Sequence, residues 1–213
     1  MESYISSVLA YGLAPDWWEL PCNQRKNVIS NVSEILTAAR NDKEGTLKAE
    51  AFESLRHDCN IIVWLLVKNP ERVVELRTRL EKALGRCALR KYGFLSVYEP
   101  RHQESGEDRR YFVAYPLSKS PDWYLLDKGK RAGIMAEHIN MAKTSANNSG
   151  INPYTTLSFG IDDCEFVVLY EVDSIPEWVA VTQDLRHANA HEWVTNEKPV
   201  LVGYKTDFGE LLI

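Results

Sequence analysis

Several features of membrane, secreted and nucleic-acid-binding proteins are missing from this sequence of 213 residues. Acidic residues outnumber basic ones, giving a net charge of −5, and no basic stretch is interleaved with aromatics, so no nucleic-acid partner is expected. The longest apolar run, Ile61–Val67, is too short to span a membrane. The N-terminus lacks the basic and apolar segments of a signal peptide, so the protein is predicted to be cytoplasmic.

Paired cysteines are also missing. The four cysteines form no Cys-x-x-Cys motif, so neither a structural zinc site nor a redox dithiol is expected. Aromatic residues, in contrast, are plentiful: ten Tyr and six Trp suit either a large core or a flat aromatic ligand.

Two segments of the chain match each other. Asp58-Cys59 and Asp163-Cys164 each precede a strand-length apolar run, and a Pro-Glu pair that suits a helix start follows each run. The second copy follows the first by 105 positions, about half of the chain. A repeat of this length predicts two copies of one supersecondary unit.

Each half is predicted to contain strand, helix, strand, strand, helix and strand in that order, the ferredoxin-like βαββαβ arrangement. The fold class is therefore α+β, with the two sheets packed face to face or closed edge to edge into a barrel. The predicted divisions are a first half over 1–100, an exposed linker over 101–110 and a second half over 111–213. The other predicted elements are first strands over 4–13 and 111–117, helices over 21–40 and 127–146, and last strands over 89–98 and 199–204.

A single histidine distinguishes the helices of the two halves. Ile134, His138 and Met141 are three to four residues apart, so His138 lies on the apolar face of the second-half helix. The matching position in the first half is Ser33, and no histidine occurs on that helix. His138 is either a core residue satisfied by a backbone carbonyl or an axial haem ligand, since a porphyrin supplies the other nitrogens.

A pair of histidines, His187 and His191, has the i, i+4 spacing of a metal site. The alternative is a pair of solvent-exposed histidines at a helix end, where they suit the helix dipole. This alternative is favoured, because the pair lies at the end of a helix, next to Asn189.

The second half resembles the chlorite dismutase family, which includes chlorite dismutases and coproheme decarboxylases. The resemblance is carried by YPLSKSPDWYLL from Tyr115, by Ala136-Glu137-His138, and by SFGIDDCEFVV from Ser158. It extends over nearly the whole chain and is closest to the compact, often dimeric members. It implies haem b in the second half and a homodimer or higher homo-oligomer.

The same resemblance implies roles for several residues. His138 corresponds to the proximal iron ligand, and Lys119 and Trp123 correspond to residues along the propionate edge of the haem. A lysine charge near a propionate and an indole packed on a porphyrin are both physically sensible.

The chain departs from the family at the distal arginine, which stabilises an oxyanion by charge and hydrogen bonds. No arginine lies between Arg131 and Arg186, and Asn152, or Pro153 in a shifted register, stands nearest to the place. Asn152 with Thr155, or with Thr156, is therefore the predicted catalytic pair, able to bind a neutral ligand by hydrogen bonds.

Two further positions differ. The carboxylate that usually bonds the proximal histidine is replaced by Asn189, and an amide is a weaker acceptor. The tyrosine used by the decarboxylases is replaced by Pro121, so porphyrin decarboxylation is not expected.

The sequence leaves several functions open. The first is a haem-dependent oxidoreductase acting on a small ligand or substrate. The second is a non-catalytic haem carrier or sensor, and the third is a haem-free scaffold with His138 in its core. A true chlorite dismutase with an altered distal side is a further alternative.

Overall fold

A computed structural model describes residues 2–43, 45–100, 109–205 and 207–213. Each half has the predicted βαββαβ order with short helices added. The first half contains β1 (Tyr4–Leu13), α1 (Pro15–Glu19), α2 (Cys22–Asn41), β2 (Thr46–Ser54), β3 (Ile61–Val67), α3 (Pro70–Leu84) and β4 (Ala88–Tyr98). The second contains β5 (Tyr111–Lys119), α4 (Pro121–Leu125), α5 (Lys128–Thr144), β6 (Ile151–Leu157), β7 (Phe166–Val172), α6 (Ile175–Leu185), β8 (Val194–Asn196) and β9 (Leu201–Tyr204).

The predicted boundaries are correct to within a few residues. Pro70 begins α3, where its missing N–H costs nothing, and Gly85 ends it with a φ of 56°, a conformation that glycine adopts without strain. The last strand begins at Leu201 rather than at Pro199. Most of the predicted linker over 101–110 lies outside the described residues.

The strands form one antiparallel sheet in the order β7-β6-β4-β1-β3-β2-β9-β5-β8. Because β5 also pairs with β7, the sheet closes into a barrel, and β8 only extends one end of β5. The two halves join edge to edge, through β4 with β6 and through β2 with β9. Of the two packings that the sequence left open, the barrel is the one that forms.

The barrel interior is filled by inward side chains from both halves, including the stacked rings of Phe52, Trp64 and Phe112. Gly203 lies where β9 meets β2, and a Cβ there would approach the Phe52 Cβ to 2.6 Å, so the strand pairing requires a glycine. The helices cover the outer faces of the barrel in two separate clusters. None of the described helices has the length and hydropathy needed to cross a membrane.

Candidate cofactor site on the second half

Helix α5 packs loosely. It lies beside α6 and against a 3₁₀ turn over Asn189–Trp193, yet none of its residues is fully buried. Large apolar side chains at the neighbouring end of β6 stay open to solvent, with Leu157 38% and Phe159 50% exposed. The outer face of the second-half sheet therefore has uncovered apolar surface on the side where α5 lies.

His138 lies on the half-buried face of α5. Its Nδ1 atom is buried and has no hydrogen-bond partner among the described residues. The backbone carbonyl that would satisfy a core histidine is therefore not found at Nδ1. Burial lowers the pKa of His138, and the positive charge of Lys119 lowers it further. The imidazole is thus neutral at pH 7, the form in which histidine binds metals.

Lys119 and Trp123 lie together beside this histidine. Lys119 ends β5, and its Nζ donates to the Ala190 carbonyl and lies 4.7 Å from the centre of the Trp123 ring. Burial lowers the pKa of Lys119. Trp123 itself is 7% exposed and packs on Trp193 with ring centres 5.3 Å apart. The two residues expected to contact a cofactor thus share one corner with His138.

Asn152 and Thr155 do not come together. Alternate residues of β6 point to opposite faces of the sheet, and Tyr154 and Thr156 are buried inside the barrel. Asn152 shares their direction, whereas Thr155 and Pro153 face outward. Asn152 and Thr155 are therefore divided between two faces, whereas Thr156 shares the face of Asn152 and is buried inside the barrel. The alternation of burial along β6 is the signal that separates them.

Asn189 is bonded to a residue that the sequence did not suggest. Its Nδ2 donates to Glu137 Oε2 at 2.8 Å, and no bond from Asn189 to His138 is found among the described residues. Glu137 precedes His138 on α5, but its partner is 52 residues away in the chain, so no local pattern could have revealed the pair.

His191, one of the histidine pair at the end of α6, lies beside an arginine. Arg186 Nη1 lies 2.8 Å from His191 Nε2 and donates to Glu197 Oε2 at 2.5 Å. Within the described ranges, no group of three or more His, Cys, Asp or Glu side chains is arranged to hold a metal ion. The single histidine of α5 therefore suits a metal whose other ligands come from a bound cofactor.

Two joined ferredoxin-like halves with one histidine on a loosely packed helix define a recognisable fold class, and known proteins share it. The family profile described as Chlorite dismutase matches residues 25–206. The chain belongs to this family.

The relatives include proteins of several descriptions. A coproheme decarboxylase from Mycolicibacterium smegmatis is 24% identical over 169 residues, 74% of this chain and 72% of that protein. A crystal structure provisionally assigned as a chlorite dismutase, TA0507, is 34% identical with a TM-score of 0.87, covering 97% of both chains. A haem-binding protein from Thermus thermophilus shares the fold at 19% identity with a TM-score of 0.84, covering 97% of this chain and 93% of that one.

Proposed function

We propose that the protein binds haem b between α5 and the outer face of the second-half sheet, with His138 as the axial ligand to iron. The observation that carries this proposal is the Nδ1 atom of His138, which is buried without a partner among the described residues. The names of the coproheme decarboxylase and of the Thermus haem-binding protein support it.

The residues present fit a porphyrin. One imidazole suffices, because the macrocycle supplies the remaining equatorial ligands of iron. The uncovered apolar surface near Leu157 and Phe159 suits a flat hydrophobic molecule. The adjoining Lys119 and Trp123 offer a cation for a propionate and a ring for packing.

The haem would supply an iron with one open position for a small ligand. The outward residues of β6, Pro153, Thr155 and Leu157, would line this open position, and none carries a charge. Thr155 can offer one hydroxyl to a bound ligand. An anion such as chlorite would lack the cationic partner that stabilises its developing charge. We therefore propose an oxidoreductase for a small, neutral ligand or substrate.

A haem carrier or sensor is the second candidate. The observation in its favour is that the Asn189 amide is bonded to Glu137, and no described carboxylate contacts His138 Nδ1. Without a carboxylate acceptor at Nδ1 the axial imidazole would be less basic, which favours ligand binding over oxidative chemistry.

The test begins with absorption spectra of the full chain, with and without added haem, in the ferric and ferrous states. We expect a Soret band that is lost in His138→Ala and kept in His187→Ala, the matched control. A band that survives in His138→Ala would refute the axial ligand. Peroxide turnover would favour the oxidoreductase over the carrier, whereas fast oxygen release from chlorite would refute the preference for neutral ligands.

Two related properties are measured in the same preparation. Titration with iron coproporphyrin and with haem b would test the cofactor, and we expect no decarboxylation, because Pro121 replaces the tyrosine. Light scattering of the loaded protein would test the proposed homodimer or higher homo-oligomer.

A further inference from the structure

The C-terminal segment, residues 207–213, lies against the first half although it follows the last strand of the second. The indole N–H of Trp17 on α1 donates to the Leu212 carbonyl at 3.1 Å. The N–H of Gly209 donates to the carboxylate of Glu53 on β2 at 3.0 Å. Trp17 and Glu53 are both buried, so the first half holds the backbone of this segment at two sheltered points.

Apolar contacts accompany these hydrogen bonds. Leu212 is buried in the core cluster of the first half, and Phe208 packs against the same cluster while partly buried. The segment itself forms a single 3₁₀ turn over Glu210–Leu212. Backbone hydrogen bonds combined with side chains in apolar pockets are the contacts by which proteins bind short peptides.

Gly209 makes the contact selective. Its φ is 88°, and a Cβ at this position would lie 2.2 Å from Cγ2 of Ile29, a buried residue of α2. Any other residue would strain the backbone and also clash with the helix. The first half therefore accepts only a segment whose backbone can pass this close to α2.

The motif that forms this corner is repeated in the second half. Pro121-Asp122-Trp123 begins α4 just as Pro15-Asp16-Trp17 begins α1. The Trp123 ring lies beneath Lys119, in the corner proposed to contact a cofactor. Trp17 instead donates its indole proton to the C-terminal segment. A peptide segment thus fills the first-half counterpart of the proposed cofactor corner.

We propose that this corner is a peptide-binding groove, formed by Trp17, Ile29 and Glu53, and that the C-terminal segment is its ligand. The groove fits a short peptide in which a phenylalanine and a glycine precede a leucine by four and three residues, as Phe208 and Gly209 precede Leu212. The partner is the C-terminal segment of a second copy, because exchange of an identical segment retains every contact. This inference does not depend on the proposed haem site.

The first test measures binding of a labelled peptide with the sequence of residues 207–213 to the full, haem-free chain by fluorescence anisotropy. Gly209→Ala releases the chain's own segment, because the added Cβ clashes with Ile29, and it leaves the groove intact. We expect this variant to bind the peptide about ten-fold more tightly than the native protein, whose groove is occupied.

Gly160→Ala is the matched control. Gly160 also has a positive φ, 74°, but among the described residues no atom beyond its chain neighbours lies within 4 Å of the place of its Cβ. The substitution strains the backbone without touching the groove, so peptide binding should match the native level. A peptide with alanine in place of the glycine should bind neither variant, because its Cβ meets the same helix.

A second release variant guards against misfolding. Leu212→Asp places a charge in the core without altering Gly209, and it should bind the peptide as Gly209→Ala does. Circular dichroism identifies the variants that fold. The proposal is overturned if the folded release variants bind the peptide no better than Gly160→Ala. Equal binding of the alanine peptide would also overturn it, since apolar contact alone would then suffice.

Whole chains test the docking of a second copy. Ile29→Phe fills the space through which Gly209 passes, so its C-terminal segment is intact but released. We expect immobilised Gly209→Ala, with its open groove, to retain more of Ile29→Phe than the immobilised native protein does, and an excess of the peptide to remove the difference. Equal retention by the two would contradict this docking.

Discussion

Helices α2 and α5 occupy the same place in the two halves but are packed differently. α2 buries Ile29, Val32, Leu36 and Ala39 against its sheet, whereas α5 buries none of its residues fully. The first half thus fills the space beneath its helix with its own side chains. The second half does not fill the corresponding space in this way, and His138 lies on its loosely packed helix.

The C-terminal segment adds to this contrast. After β9 the chain returns to the first half, where Trp17 Nε1 donates to the Leu212 carbonyl and Leu212 joins the core. The Gly209 N–H donates to Glu53 at 3.0 Å. The first half therefore receives packing from the end of the chain. A duplicated unit can keep its fold in one copy and free the other for binding.

The largest expected effect concerns the barrel interior, where Glu171 of the second half matches Leu66 of the first. Lys48 Nζ contacts the Glu171 oxygens at 3.0 and 3.2 Å, and Tyr154 donates to the same carboxylate at 2.5 Å. Lys48→Met leaves a buried charge without its cation and should cost about 3–5 kcal/mol of unfolding free energy. Denaturant titration measures this loss of unfolding free energy.

The matched control is the double variant Lys48→Met with Glu171→Leu, which makes the second half resemble the first. It should recover most of the lost stability, because two apolar groups replace the ion pair. A double variant as unstable as Lys48→Met would contradict this explanation.

The next effect compares the two helices directly in the haem-free protein. Leu36→Ala leaves a cavity in a packed core and should lower the free energy of unfolding by about 2–5 kcal/mol. Ile134→Ala on α5 should cost below about 1 kcal/mol, because this side chain is only half buried. Both are measured by denaturant unfolding. Equal costs would show that α5 is packed as tightly as α2.

A smaller effect concerns the matching turns. Hydrogen bonds from Arg56 and Tyr92 hold the pKa of Asp58 well below its usual range. Because the folded-state pKa is lowered, this stabilisation is present above about pH 4 and is lost as the pH falls further. Asp58→Asn should lower the free energy of unfolding by about 1 kcal/mol at pH 7, since the ion pair of Arg56 and Asp58 is partly exposed.

Asp163 is the matched control for this turn, because it takes part in no salt bridge with any residue the structure describes. Asp163→Asn should leave the acid limb of the stability curve unchanged, whereas Asp58→Asn should flatten it. Unfolding midpoints between pH 3 and pH 7 give the comparison. Identical curves for the two variants would contradict the expected difference between the two turns.

The last substitution is expected to have no effect on haem binding. Ser33→His places a histidine at the first-half position that matches His138. In a His138→Ala background it should not restore a Soret band, because the neighbouring Val32 and Leu36 already fill the space beneath α2. A restored band would mean that a histidine at this position is sufficient by itself.

Much of the fold could be predicted from local patterns. The apolar run Ile61–Val67, Pro70 and Gly85 marked a strand, a helix start and a helix end, and all three are confirmed. The family was also identified correctly from its motifs. Lys119, Trp123 and His138 do share one corner, although their roles stay predictions.

The site details depended on contacts between distant residues. The register predicts Asn152 at the distal position with Thr155 or Thr156 nearby, and the strand alternation of β6 places Asn152 and Thr155 on opposite faces. Asn189 was predicted near the histidine, but its bond to Glu137 joins two elements far apart in the chain.

The sequence by itself determined the order of the elements, the duplication and the helical face that carries His138, because periodicity and turn residues act over a few positions. Only the tertiary structure decided that the two sheets close into one barrel and that α5 leaves apolar surface uncovered. It also decided that a carboxylate is tied to Asn189. These features depend on strand edges, side-chain volumes and hydrogen bonds that meet only when remote segments pack together.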